Sequence, residues 1–389
     1  MLKTKKERVF PFIFHAEKRT ARMYNNLPDL MKMEDGTPVA SMEERRKELL
    51  SLFAETMYGS IPSEGFSTAF ETVEEGETLN GTAIRKQIKM TVTTEKGSSD
   101  ALMLLILPKV DHPIPVTFGL GFSSNHAVLN DPAILPSYSS SKRLAQGASA
   151  DAWCIEEAVK RGYGIAVVFG DDFMPDNPHT YGKRIISLFD KAALKGISAW
   201  AFGIERMIDY LVTDPQVDFR RLALIGTSRL GKAALWAAAN DERISLVIAN
   251  VSGTCGAAMS RGNTKEQLAD LNAKFPWWMN DPCKTYNARV YELPVDQHEL
   301  IACIAPRKVY ISSAEIDAFN DAKGTWNALL LSRDAFRLYG LEVIPDGKKP
   351  HAGGHVFTES MAYHMRAGKH GITPLDWMLY FDYMDQYLK

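Results

Sequence analysis

Apolar and polar positions alternate along this chain with two different periods. Phe66 to Val73 and Arg85 to Thr94 switch between apolar and polar at every second residue, the period of a half-buried strand. Ala101 to Val110 and Ile114 to Phe122 are apolar runs flanked by proline and glycine. These four segments predict a hairpin-like start to a sheet. Further on, short apolar strands alternate with helical patterns. Gly164 to Gly170, Leu222 to Ile225, Leu246 to Asn250 and Val309 to Ser313 read as strands. Ile197 to Leu211, Arg229 to Asn240 and Trp326 to Tyr339 read as helices, and a last helix opens near Pro374. Upstream, Ser41 to Gly59 carries Leu49, Leu50, Phe53 and Met57 at helical spacing, with Gly59 as the stop. Buried strands alternating with helices predict a three-layer α/β sandwich around a mostly parallel central sheet. No internal repeat, low-complexity stretch or linker divides the chain.

Composition changes this picture little. The 389 residues are 46% hydrophobic and 24% charged, enough apolar chain for a large core. Forty-five basic and 47 acidic residues leave a net charge of −2, without the basic excess of a nucleic-acid binder. No apolar run approaches the ~18 to 20 residues of a transmembrane helix. Near the N-terminus, Val9 to Phe14 is too short for a signal-peptide core, and His15, Glu17 and Lys18 follow it. No signal peptide is read, and the chain as written is expected in the cytoplasm. Cys154, Cys255, Cys283 and Cys303 have neither zinc spacing nor the density of a disulfide scaffold and read as buried thiols, with a single bridge as the alternative.

The chemistry concentrates at residues 223 to 239, ALIGTSRLGKAALWAAA. An apolar strand enters Gly226-Thr227-Ser228-Arg229-Leu230-Gly231-Lys232 and leaves as an Ala-rich helix, the context of a nucleophile elbow. Ser228 would face the crevice at the strand's carboxyl end, with the Arg229 N–H on one side of an oxyanion hole. The other reading is a plain strand-to-helix turn with Ser228 as N-cap. Such a serine needs a base and an acid, which follow later in the chain in α/β-hydrolases. Asp317 lies just past the Val309 to Ser313 strand, with Glu315 nearby. His370, in the loop RAGKHGITPLDW, precedes the last helix, and His364 is its competitor.

Three blocks, GTSRLGKAALWAAANDERISLVIANVSG, LPVDQHELIACIAPRKVYISSAEIDAF and YHMRAGKHGITPLDW, resemble carbohydrate esterase family 15, the glucuronoyl esterases, in their bacterial form. NLPDL at 26 to 30 and FGLGFSSNHA at 118 to 127 match as well. The resemblance implies one α/β-hydrolase domain over residues 22–389, behind a lead-in of residues 1–21. It implies hydrolysis of esters that join 4-O-methyl-glucuronic acid of glucuronoxylan to lignin alcohols. No metal, cofactor, nucleic acid or membrane partner is implied, and a monomer is expected. Members of the family are usually secreted or periplasmic. By the same resemblance Ser228 is the nucleophile and His370 the base. The Arg229 side chain helps to hold the oxyanion, and Lys232 and Glu266 bind hydroxyls of the uronate.

Two departures from the family pattern matter. Many members carry a glutamate at the end of the strand after the elbow helix, where this chain has Val251 in Asn250-Val251-Ser252-Gly253. Asp317 matches the acid that some bacterial members carry instead. A tryptophan often stands two residues beyond that aspartate, and here it is Phe319. Competing readings are an acetyl or cinnamoyl esterase on the same triad, and a non-catalytic carbohydrate-binding relict of the fold. Phe275-Pro276-Trp277-Trp278 reads as cleft lining or core, and His126 as site border or structural hydrogen bond. His351 and His355 lack a third metal ligand.

Overall fold

The structure is a computed structural model that describes residues 26–139, 144–190 and 194–389. The lead-in read over residues 1–21 lies outside the described residues. Ten strands form one sheet: β1 (Ser67–Thr78), β2 (Ala83–Thr94), β3 (Gly97–Pro108), β4 (Ile114–Gly121), β5 (Gly164–Phe169), β6 (Val217–Thr227), β7 (Leu246–Asn250), β8 (Lys308–Ala314), β9 (His355–Phe357) and β10 (Met361–Arg366). Their order is β1-β2-β3-β5-β4-β6-β7-β8-β10-β9. β1, β2 and β3 form an antiparallel meander that joins β5 antiparallel. From β5 through β4, β6, β7 and β8 to β10 every pair is parallel, and β9 closes the edge antiparallel. This is the α/β-hydrolase fold, with the mostly parallel centre that the alternation predicts.

Each central strand is buried on both faces, so its residues are apolar nearly throughout. In β6, Leu222 and Leu224 pack into the core on one face of the sheet, while Ala223 and Ile225 pack into the core on the other. The first core is closed by helices α1 (Met42–Phe53), α3 (Gly196–Leu211), α4 (Arg229–Asn240) and α5 (Gln297–Ala302). The second is closed by α2 (Ile155–Lys160) and the C-terminal helix α6 (Pro374–Tyr387), whose Trp377 and Phe381 are fully buried. Among the described residues no helix is long and apolar enough to cross a membrane.

Several elements differ from the sequence reading. β6 starts five residues earlier than its apolar core, at Val217, which pairs with Ile114 of β4; the polar residues between, Asp218, Arg220 and Arg221, form local ion pairs. The helix read over Trp326 to Tyr339 is two helices, Ala322–Leu331 and Arg333–Leu338, meeting at Ser332, whose hydroxyl donates back to the Leu329 carbonyl. The helix ending at Gly59 widens after Phe53 into a π turn, Ala54–Tyr58. β9, β10, α2 and α5 lie outside the segments that the pattern predicts.

The turn between β6 and α4 is sterically exacting. A Cβ on Gly226 would lie 2.2 Å from the Leu230 carbonyl oxygen and 2.8 Å from the Gly231 Cα. A Cβ on Gly231 would lie 2.9 Å from the Gly226 oxygen and 2.9 Å from the Ser252 Cβ. The two glycines therefore face each other, which explains a second glycine at 231 and a tolerated leucine at 230. Gly226→Ala is expected to lower stability by about 1 to 3 kcal/mol through overpacking against backbone. Thermal unfolding of the variant against the parent checks it; an unchanged midpoint would contradict the packing described here.

Candidate active site

All of the parallel strands that carry chemistry deliver it from their carboxyl ends, where ligands bind in open α/β sheets. Ser228 follows β6 directly, with φ 56° and ψ −126°, a conformation that non-glycine residues rarely adopt. It occupies the N-cap position of α4, yet its side chain caps nothing. Its carbonyl instead accepts from the Gly231 and Lys232 N–H groups at 2.9 and 3.2 Å, and its N–H donates to the Asn250 carbonyl at 2.9 Å. A serine that served as N-cap would use its hydroxyl on the first turn. This hydroxyl is left for other work, as an elbow nucleophile requires.

His370 stands in the loop between β10 and α6, and its Nδ1 lies 2.7 Å from Asp317 Oδ2. The carboxylate is buried and also accepts from the N–H groups of Phe319 at 2.8 Å and Asn320 at 3.0 Å through Oδ1. Burial pushes the Asp317 pKa up, but these three hydrogen bonds outweigh it and hold the carboxyl below its ordinary range. Glu315 is exposed, and its N–H is taken by the Arg366 carbonyl at 2.9 Å. With Nδ1 committed to Asp317, the other ring nitrogen is the one able to exchange a proton.

Asn250, the last residue of β7, joins the loops. Its Nδ2 donates to the Gly371 carbonyl at 3.0 Å and to Thr227 Oγ1 at 3.3 Å. Its Oδ1 accepts from Ser312 Oγ of β8 at 2.9 Å. One amide thus binds the neighbour of Ser228, the neighbour of His370 and the strand that leads to Asp317. Val251 is buried beside it, with φ 40° and its N–H on the Ser312 carbonyl at 3.0 Å.

Arg229 begins α4, so its N–H has no intrahelical acceptor. Its Nε lies 2.6 Å from Asp176 Oδ2. Its guanidinium lies 4.6 Å above the Phe122 ring and 5.8 Å from the Trp278 ring. Asp176 Oδ1 accepts from the indole N–H groups of Trp277 at 2.9 Å and Trp278 at 2.7 Å. Trp277 and Trp278 are therefore buried supports of the Arg229 anchor and do not line an open cleft. Beside them opens a cavity of about 550 Å³, lined by Phe122, Ser123, Asp176, Arg184 and Arg229 among others.

On the other side of the elbow, Lys232 is 3% exposed, so it is no surface lysine. Its Nζ donates to the carbonyls of Ser252 at 2.5 Å and Thr254 at 2.6 Å, which leaves a third N–H. Burial lowers its pKa, against the pull of Glu266 and Asp317 nearby. Glu266 is half-buried; its carbonyl accepts from Thr254 Oγ1, and its N–H reaches the Phe319 carbonyl at 3.5 Å. Phe319 is 46% exposed, with its ring 5.4 Å from the His370 ring and nearly perpendicular to it. Lys274 Nζ stands 6.0 Å over that ring and 3.8 Å from the Glu266 carboxylate.

Other histidines have structural partners. His364 is fully buried between Tyr310 and Asp376, and His126 bonds to Ser124 Oγ and the Leu144 carbonyl. His355 packs on the Phe357 ring. Asp176 and Asn250 escaped the sequence reading. Asp176 sits in DDFMPDNPHTYG, where an aspartate between proline and asparagine reads as a turn residue. Asn250 reads as the polar end of a strand.

A family model described as "Glucuronyl esterase, fungi" matches residues 171–340. The chain is 35% identical, over 93% of its length and 89% of the relative's, to "Carbohydrate esterase MZ0003" from an unknown prokaryotic organism. The chain belongs to carbohydrate esterase family 15, the glucuronoyl esterases. Solved structures of the family superpose closely. A promiscuous family 15 esterase from a marine bacterial metagenome gives a TM-score of 0.86 at 34% identity, covering 93% of this chain and 97% of that one. A glucuronoyl esterase from Solibacter usitatus gives 0.85 at 33% identity, covering 92% and 97%. This esterase is accordingly a carboxylic ester hydrolase.

The Asp176 anchor yields a test. On the expectation that the Arg229 side chain helps to hold the oxyanion, Asp176→Asn, which keeps the shape but weakens the hold on the guanidinium, should lower kcat by ~10 to 10²-fold, less than losing an oxyanion donor outright. Steady-state kinetics on an activated ester would read this, and an unchanged kcat would separate Asp176 from the function of Arg229.

Proposed function

We propose that this esterase cleaves esters of 4-O-methyl-glucuronic acid in glucuronoxylan with the alcohols of lignin, through an acyl-enzyme on Ser228. The observation that carries the reading is the 2.7 Å His370–Asp317 pair, tied through Asn250 to an elbow serine whose hydroxyl caps nothing. His370 takes the Ser228 proton as the oxygen attacks the uronate carbonyl. The oxyanion forms against the Arg229 N–H and guanidinium. The alkoxide leaves with the proton from His370, and a water molecule repeats the cycle to release the free uronic acid and regenerate the serine. Asp317 fixes the imidazole tautomer and favours its charged form. In this reading it replaces the acid that Val251 cannot supply.

The sugar side is supported by chemistry more than by shape. A uronate ester is neutral at its carboxyl, so Lys232 is not there to pair with a substrate carboxylate. Its remaining N–H can donate to a ring hydroxyl, Glu266 can accept from another, and the exposed face of Phe319 can stack on the pyranose. A broader ester specificity is the second reading. The marine relative is described as promiscuous, and Phe319 offers no indole N–H to a sugar hydroxyl.

Ser228→Ala and His370→Ala are each expected to remove turnover of methyl glucuronate by several orders of magnitude. Asp317→Asn should cost ~10² to 10⁴-fold, and Glu315→Gln very little. The reverse ranking of the two acids would reassign the triad.

Substrate choice is read separately. Glu266→Ala should cut kcat/KM on methyl or benzyl glucuronate by ~10-fold or more, the equivalent of one charge-assisted hydrogen bond, and leave p-nitrophenyl acetate nearly unaffected. Lys232→Met, which keeps the bulk of the stem, should show the same selectivity. Equal losses on both esters would make Lys232 a brace for the 252–254 turn alone.

A further inference from the structure

The end of β10 buries a charge. Arg366, the last residue of β10, is only 8% exposed. Its Nη2 donates to the carbonyls of Lys369 at 2.8 Å and Gly371 at 3.0 Å, the two residues that flank His370. Its Nη1 donates to the Ala367 carbonyl at 2.8 Å. Nε lies 3.0 Å from Asp376 Oδ1 and 2.8 Å from Oδ2. Asp376 is itself buried and held from three further directions. Its Oδ1 lies 2.8 Å from His364 Nε2, and its Oδ2 accepts from the N–H and hydroxyl of Thr373, both at 2.8 Å. His364 Nδ1 lies 2.9 Å from the Tyr310 hydroxyl, so the chain of bonds ends in the core.

We propose that Arg366 is a positioning residue for His370, its fork holding the carbonyls on either side of the histidine and so fixing where the imidazole stands. The loop needs such a hold. It is bordered by Gly368 at φ 100° and Gly371 at φ 141°, conformations that give the backbone little restraint of its own. Asn250 holds the Gly371 carbonyl from the elbow side, and Arg366 holds it from the strand side. A planar guanidinium can meet three carbonyls and a carboxylate at once, whereas an ammonium is a point donor that cannot span them. Burying the charge is costly, and Asp376 offsets that cost only because it is fully hydrogen-bonded.

The inference rests on His370 being the base, and the test separates the two. Arg366→Lys keeps the charge beside Asp376 and loses the fork. It is expected to retain the parent's circular dichroism and thermal midpoint, with KM for methyl glucuronate nearly unchanged and kcat lowered by ~10-fold or more, as for a slightly misplaced catalytic group. A downfield proton signal from the Nδ1–H bridging His370 and Asp317, identified by its absence in His370→Ala, should shift or broaden. If Arg366→Lys does not fold, Asp376→Asn, which loosens the guanidinium without removing it, must show the same split. Full kcat and an unshifted signal, with His370→Ala inactive, would overturn the positioning role and leave the base assigned. An active His370→Ala would overturn the base, and this inference with it.

Discussion

The backbone at Ser228 is the constraint on which the site is built. A non-glycine residue at φ 56° and ψ −126° costs on the order of 1 to 3 kcal/mol and persists only where its surroundings leave no alternative. Here they leave none. Gly226 and Gly231 approach so closely that neither can carry a side chain, and the Asn250 carbonyl takes the Ser228 N–H. The buried Ala-rich helix that follows cannot shift without breaking the core against α3 and the sheet. The strain is thus held by packing on both sides of the turn, and its result is a hydroxyl kept off the helix cap.

Around that turn, the carboxyl ends of β4, β5, β7, β8 and β10 each add one part. The Phe122 ring and the Asp176 carboxylate hold the Arg229 side chain, while Asp317 and its loop hold His370. The site is polar and partly buried, so its groups depend on hydrogen bonds from one another more than on water. Asp317 takes three donors, Asp176 three, and Asp376 four, counting the His364 contact. Carboxylates saturated in this way act as fixed anchors, since each accepted bond both stabilises the charge and restricts the rotamer.

The central sheet and the elbow were legible because their signals are local. An apolar strand, two glycines and an Ala-rich helix occupy consecutive residues from Ala223 to Ala239. The loop that carries His370 was legible from the glycines before and after it and the proline that opens the next helix. What was not legible depends on contacts far apart in sequence. β10, MAYHMR, is buried at all six positions, but its histidine and arginine, which break the apolar pattern, are satisfied by Asp376 twelve and ten residues later. β9 is too short to have a period. Asp176 acquires its meaning only when Trp277, Trp278 and Arg229 reach it from elsewhere in the chain. For Lys232, the family resemblance implied a sugar-binding ammonium, but only the structure revealed the two carbonyls that occupy most of it.

On the proposed triad, an acid in the loop after β8 instead of at the end of β7 joins two tasks in one short peptide. The Asp317 carboxylate that meets the His370 imidazole also accepts the Phe319 N–H, so the ring proposed to stack on the sugar and the acid proposed for the triad lie within three residues. On the proposed function, a sugar resting on the Phe319 ring would sit on the same turn that holds His370 through Asp317. An acid at the end of β7 would leave recognition and proton transfer on separate loops, free to diverge independently. In this arrangement any side chain at 319 shares its backbone with the N–H groups of 319 and 320 that hold the Asp317 carboxylate.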